Sequence, residues 1–561
     1  MKNRNLFYKY RLSAKLNSVT EYTKYYRCSL LAMLVVGVLL PGCSGLSSQM
    51  VDPMMSTPSE LTFNPYEVVT STVKHQTVLT GFLLGGAVAD LAVVNVDGNH
   101  ARRLRVYAFS DGTWVPRLDV TLRPQVLFVD VVNIGGRDRL ITYEHGRLNW
   151  FDPESATERT LVEVTVKYKG TGEVGIPHID ITRDVNRDGC DDLVIPDVDG
   201  FWISTQLGNG SFTDPIKLGP PEPFLGEIAL DDTRSYGEVG ITALTVPWYL
   251  SRVHEMDHDQ DGRSDLVFWN KDHFDVYYQD ANGMFSPVAE TFTISEVPFD
   301  TDGAYSTAFG FGGESSFSLI FGFRENTKLR VLHSFRDVNG DSVADLVILS
   351  LEGRSLLNQR SLYEVHFGTS TPDGILFARE VNTTIQPQGT AGGLLHSGYS
   401  SVWLQDFDAD GQIDIMFRDV NIGPAGMMRA LLGNSIMIDV EFYRIEDGIY
   451  PDKPTATHKI RPHIRPFDRQ NIFLSPVLMG DVNGDRRLDL LVGKSREELQ
   501  VFIGVPGSDL LARQPKKVAV TLPMDERNTR LVDLNKDGKQ DILMYHPSTT
   551  KSHWITLLIA Q

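Results

Sequence analysis

The chain is poor in residues on which many enzymes and small secreted domains depend. Only three cysteines occur in 561 residues: Cys28, Cys43 and Cys190. Cys28 falls in an N-terminal leader and Cys43 at its end, so Cys190 is left without a partner and an intramolecular disulfide is excluded. There is no Gly-x-Ser-x-Gly elbow, no His-Glu-x-x-His pair and no phosphate-cradling glycine loop, and the common hydrolase, zinc-protease and nucleotide-binding readings fall away. The 14 histidines are scattered, and single ones such as His178 and His396 read as structural. The uncharged apolar stretch from Ser29 to Leu40 holds 12 residues, too few to span a bilayer. Positive charge is short as well: 53 Lys and Arg face 72 Asp and Glu, a formal −19, and removing the net +6 of residues 1–27 takes this to −25. That balance argues against nucleic acid and against electrostatic docking on anionic lipid.

What the chain has in excess is one acidic pattern, written six times. Its copies are Asp184, Asn186, Asp188 and Asp192; Asp257, Asp259, Asp261 and Asp265; Asp337, Asn339, Asp341 and Asp345; Asp406, Asp408, Asp410 and Asp414; Asp481, Asn483, Asp485 and Asp489; and Asp533, Asn535, Asp537 and Asp541. Acidic side chains at alternate positions of a tight turn converge on one point, and calcium takes six to eight such oxygens. Glycine supplies the bend at position six in four copies (Gly189, Gly262, Gly411, Gly538). The third and fifth copies carry Ser342 and Arg486 there, with Gly340 and Gly484 at position four, and are expected to bind more weakly.

A helical EF-hand starts in the same way but needs a bidentate Glu at position twelve. Here that position holds Ile195, Phe268, Ile348, Phe417, Val492 and Met544, all apolar. The EF-hand reading fails. Each ninth-position Asp instead opens a short continuous apolar run, which reads as a β-strand buried on both faces.

The ninth-position residues are 73, 80, 69, 75 and 52 apart, and two decayed copies precede them, Ala89-Asp90-Leu91 and Asp130 through Asp138. Eight units result with a mean spacing of about 64 residues, room for four short strands, the size of a propeller blade. In the third unit 201–206 forms the next strand, Gly208-Asn209-Gly210 turns the chain and Phe212 opens an outer strand; the fourth repeats this with 274–278, Asn282-Gly283 and Phe285. The last unit lacks a strand, which the segment Tyr66 to Val73 can supply, closing the ring and hiding a sheet edge.

The loops Asp-Val-Asn-Gly-Asp at 337 and 481, Asp-Val-Asn-Arg-Asp-Gly at 184 and Asp-Leu-Asn-Lys-Asp-Gly at 533 resemble the FG-GAP or VCBS repeats of integrin-α-type β-propellers, over roughly residues 60–561. The resemblance implies an all-β fold, a single propeller with calcium loops joining the first two strands of about six blades on one face of the disc. The departures are long inserts and the eight-unit count; seven blades follow if the first two units are not independent. The implied cofactor is Ca²⁺ at about six structural sites.

Residues 1–27 contain seven Lys or Arg against one acid, and with the apolar stretch and Leu40-Pro41-Gly42-Cys43 they resemble a bacterial lipoprotein leader. The domain reading is a signal peptide at 1–42, a flexible tether at 43–60 lipidated on Cys43, and a propeller at 61–561. Ser44 after the Cys points to the outer membrane, with the lipid as the only membrane contact. Trp114, Trp150, Trp202, Trp248, Trp269, Trp403 and Trp554 lie mostly in strand patterns and read as core rather than sugar platforms. Partner contacts are expected on the inserts Val297 to Thr327, Gln386 to Ser400 and Arg418 to Arg461. The expectation is a calcium-stabilised binding or scaffold protein for a protein or polysaccharide ligand, without a catalytic residue assigned. The alternative is a calcium-dependent polysaccharide lyase or glycoside hydrolase.

Overall fold

Each apolar run behind a ninth-position Asp becomes the second strand of a four-stranded antiparallel sheet, covered on both faces. In the last copy all six residues of Asp541–His546 are buried. Burying a Leu, Ile or Met side chain of this kind stabilises the fold by roughly 1.5–3 kcal/mol.

The computed structural model describes residues 61–561, apart from 74, 167–174, 198–199, 220–252, 271–272, 295–326, 354–359, 373, 387–401, 411, 421–428, 430–431, 447, 466–472, 525–527 and 549–550. The leader, Cys43 and the tether lie outside the described residues, as do His396, Trp248 and all of the first two expected inserts but Thr327 and Gln386. Eight four-stranded sheets follow one another along the chain. Blade 1 comprises Thr77–Gly81, Asp90–Val96, Arg102–Ser110 and Thr113–Thr121; blade 2 Phe128–Ile134, Arg137–Glu144, Arg147–Asp152 and Thr157–Val162. Blade 3 comprises Thr182–Arg183, Asp192–Asp197, Gly200–Ser204 and Ile216–Leu218; blade 4 His254–Met256, Asp265–Asn270, His273–Tyr277 and Glu290–Phe292. Blade 5 is built from Thr327–Arg336, Asp345–Gly353, Arg360–His366 and Thr383–Ile385, blade 6 from Val402–Gln405, Asp414–Val420, Ile438–Tyr443 and Ala456–Ile460. Blade 7 has Val477–Gly480, Asp489–Ser495, Glu498–Phe502 and Lys516–Ala519; blade 8 has Thr529–Val532, Asp541–His546 and Trp554–Ala560.

The fourth strand of blade 8 is Phe63–Val69, paired antiparallel from Phe63 opposite Ala560 to Val69 opposite Trp554. The ring is therefore closed by the N-terminal strand, three residues earlier than the sequence suggested. The shift has a local cause: beyond Thr70 the chain must turn into blade 1, and the Gln76 amide holds that turn by donating to Ser71 O, Ser71 Oγ and Val73 O.

Eight hydrophobic clusters fill the eight junctions between neighbouring blades. The closing junction packs Leu543 and Tyr545 of blade 8 against Leu91 and Tyr107 of blade 1. A sheet that buries both faces against neighbours has no stable existence alone, which is why the repeat must complete a ring.

Three sequence expectations are corrected. In blades 3 and 4 Phe212 and Phe285 make only isolated bridges, to Gln206 and Gln279, and the outer strands start later. Pro215 and Pro287 follow those bridges, and proline has no N–H to give the ladder. The second decayed unit is no loop: Asp130 and Asp138 sit in strands joined by Gly135 and Gly136, both at positive φ (58° and 79°) as a two-residue hairpin requires. The third insert supplies the third and fourth strands of blade 6.

Candidate metal centres

All six acidic loops make the same connection, first strand to second strand, in blades 3 to 8, and so share one face of the disc. In each, the residue before the loop pairs with the ninth-position Asp, from Arg183 with Asp192 to Val532 with Asp541. The turn needs two residues in the left-handed region, at positions four and six. Arg187, Gln260, Ala409 and Lys536 take it at position four where position six is glycine. In the third and fifth loops Gly340 and Gly484 take position four, and Ser342 and Arg486 reach φ of 68° and 69° at position six. One glycine per loop relieves one of two strained positions, and the backbone path is common to both kinds.

The acidic side chains organise this backbone. The first-position carboxylate accepts the sixth N–H, as in Gly189 to Asp184 Oδ2 at 2.9 Å and Gly538 to Asp533 Oδ2 at 3.0 Å. The fifth accepts the seventh N–H, as in Cys190 to Asp188 Oδ1 at 2.8 Å. In the four loops with asparagine at position three, Asn186, Asn339, Asn483 and Asn535 donate from Nδ2 to Oδ2 of Asp188, Asp341, Asp485 and Asp537 at 3.1–3.3 Å.

The ninth-position Asp is the anchor. Asp192, Asp265, Asp345, Asp414, Asp489 and Asp541 are all at most 1% exposed. Each accepts at Oδ2 the N–H of position two, from Val185, His258, Val338, Phe407, Val482 and Leu534. In five of them Oδ1 also accepts an N–H from the end of the third strand: Gln206, Gln279, Gly368, Gly504 and Ala560. Burial pushes the carboxyl of Asp192, Asp414 and Asp489 up to about 7 and that of Asp265, Asp345 and Asp541 up to about 6, against the backbone bonds that lower it. Burial disfavours the charged form of such a carboxylate, and a nearby cation favours it.

The donor set fits a hard cation. In the two loops with Asp at position three, Asp257, Asp259 and Asp265, and likewise Asp406, Asp408 and Asp414, each bring one carboxylate oxygen within 4.8 Å of the others. Asp257 Oδ1, Asp408 Oδ1 and Asp414 Oδ1 are buried without a hydrogen-bond partner. Oxygen atoms with free lone pairs, gathered and dehydrated, are what calcium or magnesium coordinates. Arginines stand at three fifth-position carboxylates: Arg263 at Asp261, Arg487 at Asp485 (2.7 Å) and Arg444 at Asp410 (2.9 Å).

Blade 1 has the same connection without the acids at positions one, three and five. Gly81 pairs with Asp90 at the same nine-residue interval, but Phe82, Leu84 and Gly86 occupy positions one, three and five. Asp90 is still 1% exposed and accepts the Leu84 N–H at 2.7 Å. The ninth-position Asp thus braces the turn without any ligand set, a role the sequence pattern did not reveal although Asp90 was visible as a relic. Asp130 pins the blade 2 to blade 3 connection similarly, taking His178 Nε2 at 2.7 Å and the Ile181 N–H at 2.9 Å. His178 is thereby structural. Trp114 is core, donating to Ala89 O at 2.9 Å, while Trp150 is half-buried beneath Arg139 and Arg159. A cavity between blades 1 and 2, lined by Leu83, Leu104, Leu140 and Phe151 among others, has room for about one water.

The sheet order and the eight junction cores define the class: an eight-bladed β-propeller. No protein-family model matches the chain, and no curated protein matches it. Among solved structures it is similar to the β-propeller domain of Nup133 from Vanderwaltozyma polyspora, at 7% identity and a TM-score of 0.32, covering 90% of this chain and 99% of that one. The V. cholerae biofilm matrix protein Bap1 aligns at 10% identity and a TM-score of 0.28, covering 88% and 89%. The Photorhabdus luminescens Tc holotoxin pore aligns at 14% identity and a TM-score of 0.29 over 81% of this chain, which spans only 18% of that one. Likeness at these scores carries nothing about activity.

Proposed function

We propose that this propeller is a calcium-braced binding or scaffold protein of a bacterial envelope, tethered through lipid on Cys43. The observation that supports it best is that the distinctive acids are spent on equivalent turns, each tied to a buried ninth-position carboxylate. Six equivalent turns on one face suit a repeated fastener better than one catalytic centre. The convergent, unpartnered oxygens of the second and fourth loops supply the chemistry for Ca²⁺. The FG-GAP or VCBS resemblance points the same way.

With extracellular-type affinities of about 10⁻⁴ to 10⁻³ M and calcium near 10⁻³ M, each site contributes on the order of 0.4–1.4 kcal/mol. Over six loops that rivals the net stability of a whole domain, roughly 5–15 kcal/mol. In excess EGTA the melting temperature of the intact chain should therefore fall well below its value in calcium. An unchanged melt sinks the brace. For the ligand, the chain is presented to glycan and protein arrays and to acidic polysaccharides, with and without calcium. Retention without product supports the binder, and calcium-dependent product release makes the protein a lyase or hydrolase instead. Labelled palmitate incorporation that Cys43→Ser abolishes checks the tether.

A further inference from the structure

The six loops are not alike in what neutralises them. Four cross-link positions three and five through an asparagine amide, whereas the second and fourth have only carboxylates at positions one, three, five and nine. Among the described residues the fourth is the exception, because its countercharge comes from outside the loop, beyond the end of the third strand. Arg444 follows the third strand of blade 6, and its Nη2 lies 2.7 Å from Asp408 Oδ2 and 2.9 Å from Asp410 Oδ2. One guanidinium nitrogen therefore bridges the third and fifth positions of the turn. Strand register places Thr205, Tyr278, Phe367, Ile503 and Ile559 at the equivalent point of the other five blades, none of them charged.

The same loop is the least satisfied. Asp414 is 0% exposed, yet its Oδ1 has no partner, where the ninth-position Asp of every other loop accepts a third-strand N–H. Asp408, with its side chain 8% exposed, also leaves Oδ1 unpartnered. Both residues belong to the group whose oxygens gather within 4.8 Å. A single guanidinium against four carboxylates leaves the loop short of positive charge, and the free lone pairs of the buried Asp408 Oδ1 and Asp414 Oδ1 suit a further cation.

We infer that Arg444 is a tethered cation that holds the fourth loop together in competition with a divalent metal, making this loop the low-affinity, exchangeable site of the set. The inference rests on the calcium reading above and sharpens it. Calcium entering between Asp408 and Asp410 must displace the guanidinium, so its binding there is weakened by the loss of that pair. Among the described residues the other five loops have no such competitor from the third strand, and Arg263 and Arg487 each pair only with the fifth-position carboxylate of their own loop. The fourth turn would then keep its shape at calcium levels where it is empty of metal, and Arg444 would be released at higher levels.

The test uses the intact, decalcified chain and calcium itself, titrated by calorimetry with a fluorescent chelator competition to resolve weak sites. Wild type should show one class of sites weaker than the rest. Arg444→Gln should strengthen one site by about tenfold or more, the scale on which a lost charge-assisted pair registers, and leave the others in place. Arg444→Lys, which keeps the charge but not the planar fork, should fall between, and it also serves if the Gln variant does not fold. The chelated Arg444→Gln protein should melt below chelated wild type, and calcium should close that gap. An isotherm unchanged by both substitutions, or the loss of a site in Arg444→Gln, overturns the role of Arg444 while leaving the calcium brace standing. No calcium binding by wild type at all overturns the brace itself.

Discussion

Replacing Asp90 and Asp541 separately by alanine distinguishes what the buried ninth-position carboxylate does from what a metal adds. Asp90→Ala removes the acceptor of the Leu84 N–H in a loop whose other ligand positions are Phe82, Leu84 and Gly86. Asp541→Ala removes the acceptors of the Leu534 N–H at 2.9 Å and the Ala560 N–H at 2.8 Å in a loop with a full ligand set. Each orphaned buried N–H costs roughly 1–3 kcal/mol. Asp90→Ala should therefore lose on the order of 1–3 kcal/mol and Asp541→Ala on the order of 2–6 kcal/mol in EGTA. In calcium the second variant loses a further contribution of about 0.4–1.4 kcal/mol, the linkage of one site, whereas the first loses nothing more. The assay is urea unfolding of the intact chain, followed by tryptophan fluorescence and far-UV circular dichroism, with and without millimolar calcium. Agreement of the two probes is needed before a single free energy is assigned to a chain of eight blades. A harmless Asp90→Ala refutes the brace, and a calcium-dependent one refutes the claim that blade 1 has kept the brace and lost the metal.

Three further outcomes follow from particular contacts. His546, 4% exposed and stacked on Trp554, has its imidazole pushed down to about 4 by burial, with Arg496 adding to the effect. A depressed histidine is neutral in the fold, so its contribution is intact above the unfolded value near 6.5 and is lost as pH falls toward 4, about 2 kcal/mol by pH 5; the loss of stability between pH 7.5 and 5 should be smaller by about that amount in His546→Asn than in wild type, and an unaltered pH slope would count against it. Gly200 lies at φ 129°, where a Cβ would stand 2.4 Å from Leu218 O, so Gly200→Ala should destabilise blade 3 by about 2–4 kcal/mol in urea unfolding, and a neutral result would mean that the fourth strand Ile216–Leu218 yields readily at this point. Starting the chain at residue 71 removes Phe63–Val69 and exposes the edge of Trp554–Ala560; size-exclusion chromatography should show association, and a monodisperse, protease-resistant product would show that closure does not depend on that strand.

Much of the fold was legible because the repeat carries its own register. The nine-residue interval from first strand to ninth-position Asp recurs in seven blades, and the apolar run behind it announces a strand buried on both faces. The eight-unit count stood because each unit owns one such strand, even in blade 2 where a two-glycine hairpin replaces the loop. Strand ends were less legible, since Pro215 and Pro287 act on hydrogen-bond ladders whose partners lie elsewhere in the chain.

At the acidic loops, sequence alone determined which residues line the turn, because alternate positions of a tight turn project to one side whatever surrounds them. Only the tertiary structure decided what each does. Burial of the ninth position depends on a second strand wedged between neighbouring blades, and its Oδ1 partners come from the far end of a third strand, 14 to 23 residues on. Arg444 reaches Asp410 across 34 residues, a separation at which no local spacing rule operates. Short-range pattern decided which acids line the turn, and long-range packing set which of them brace the backbone and which keep free oxygens.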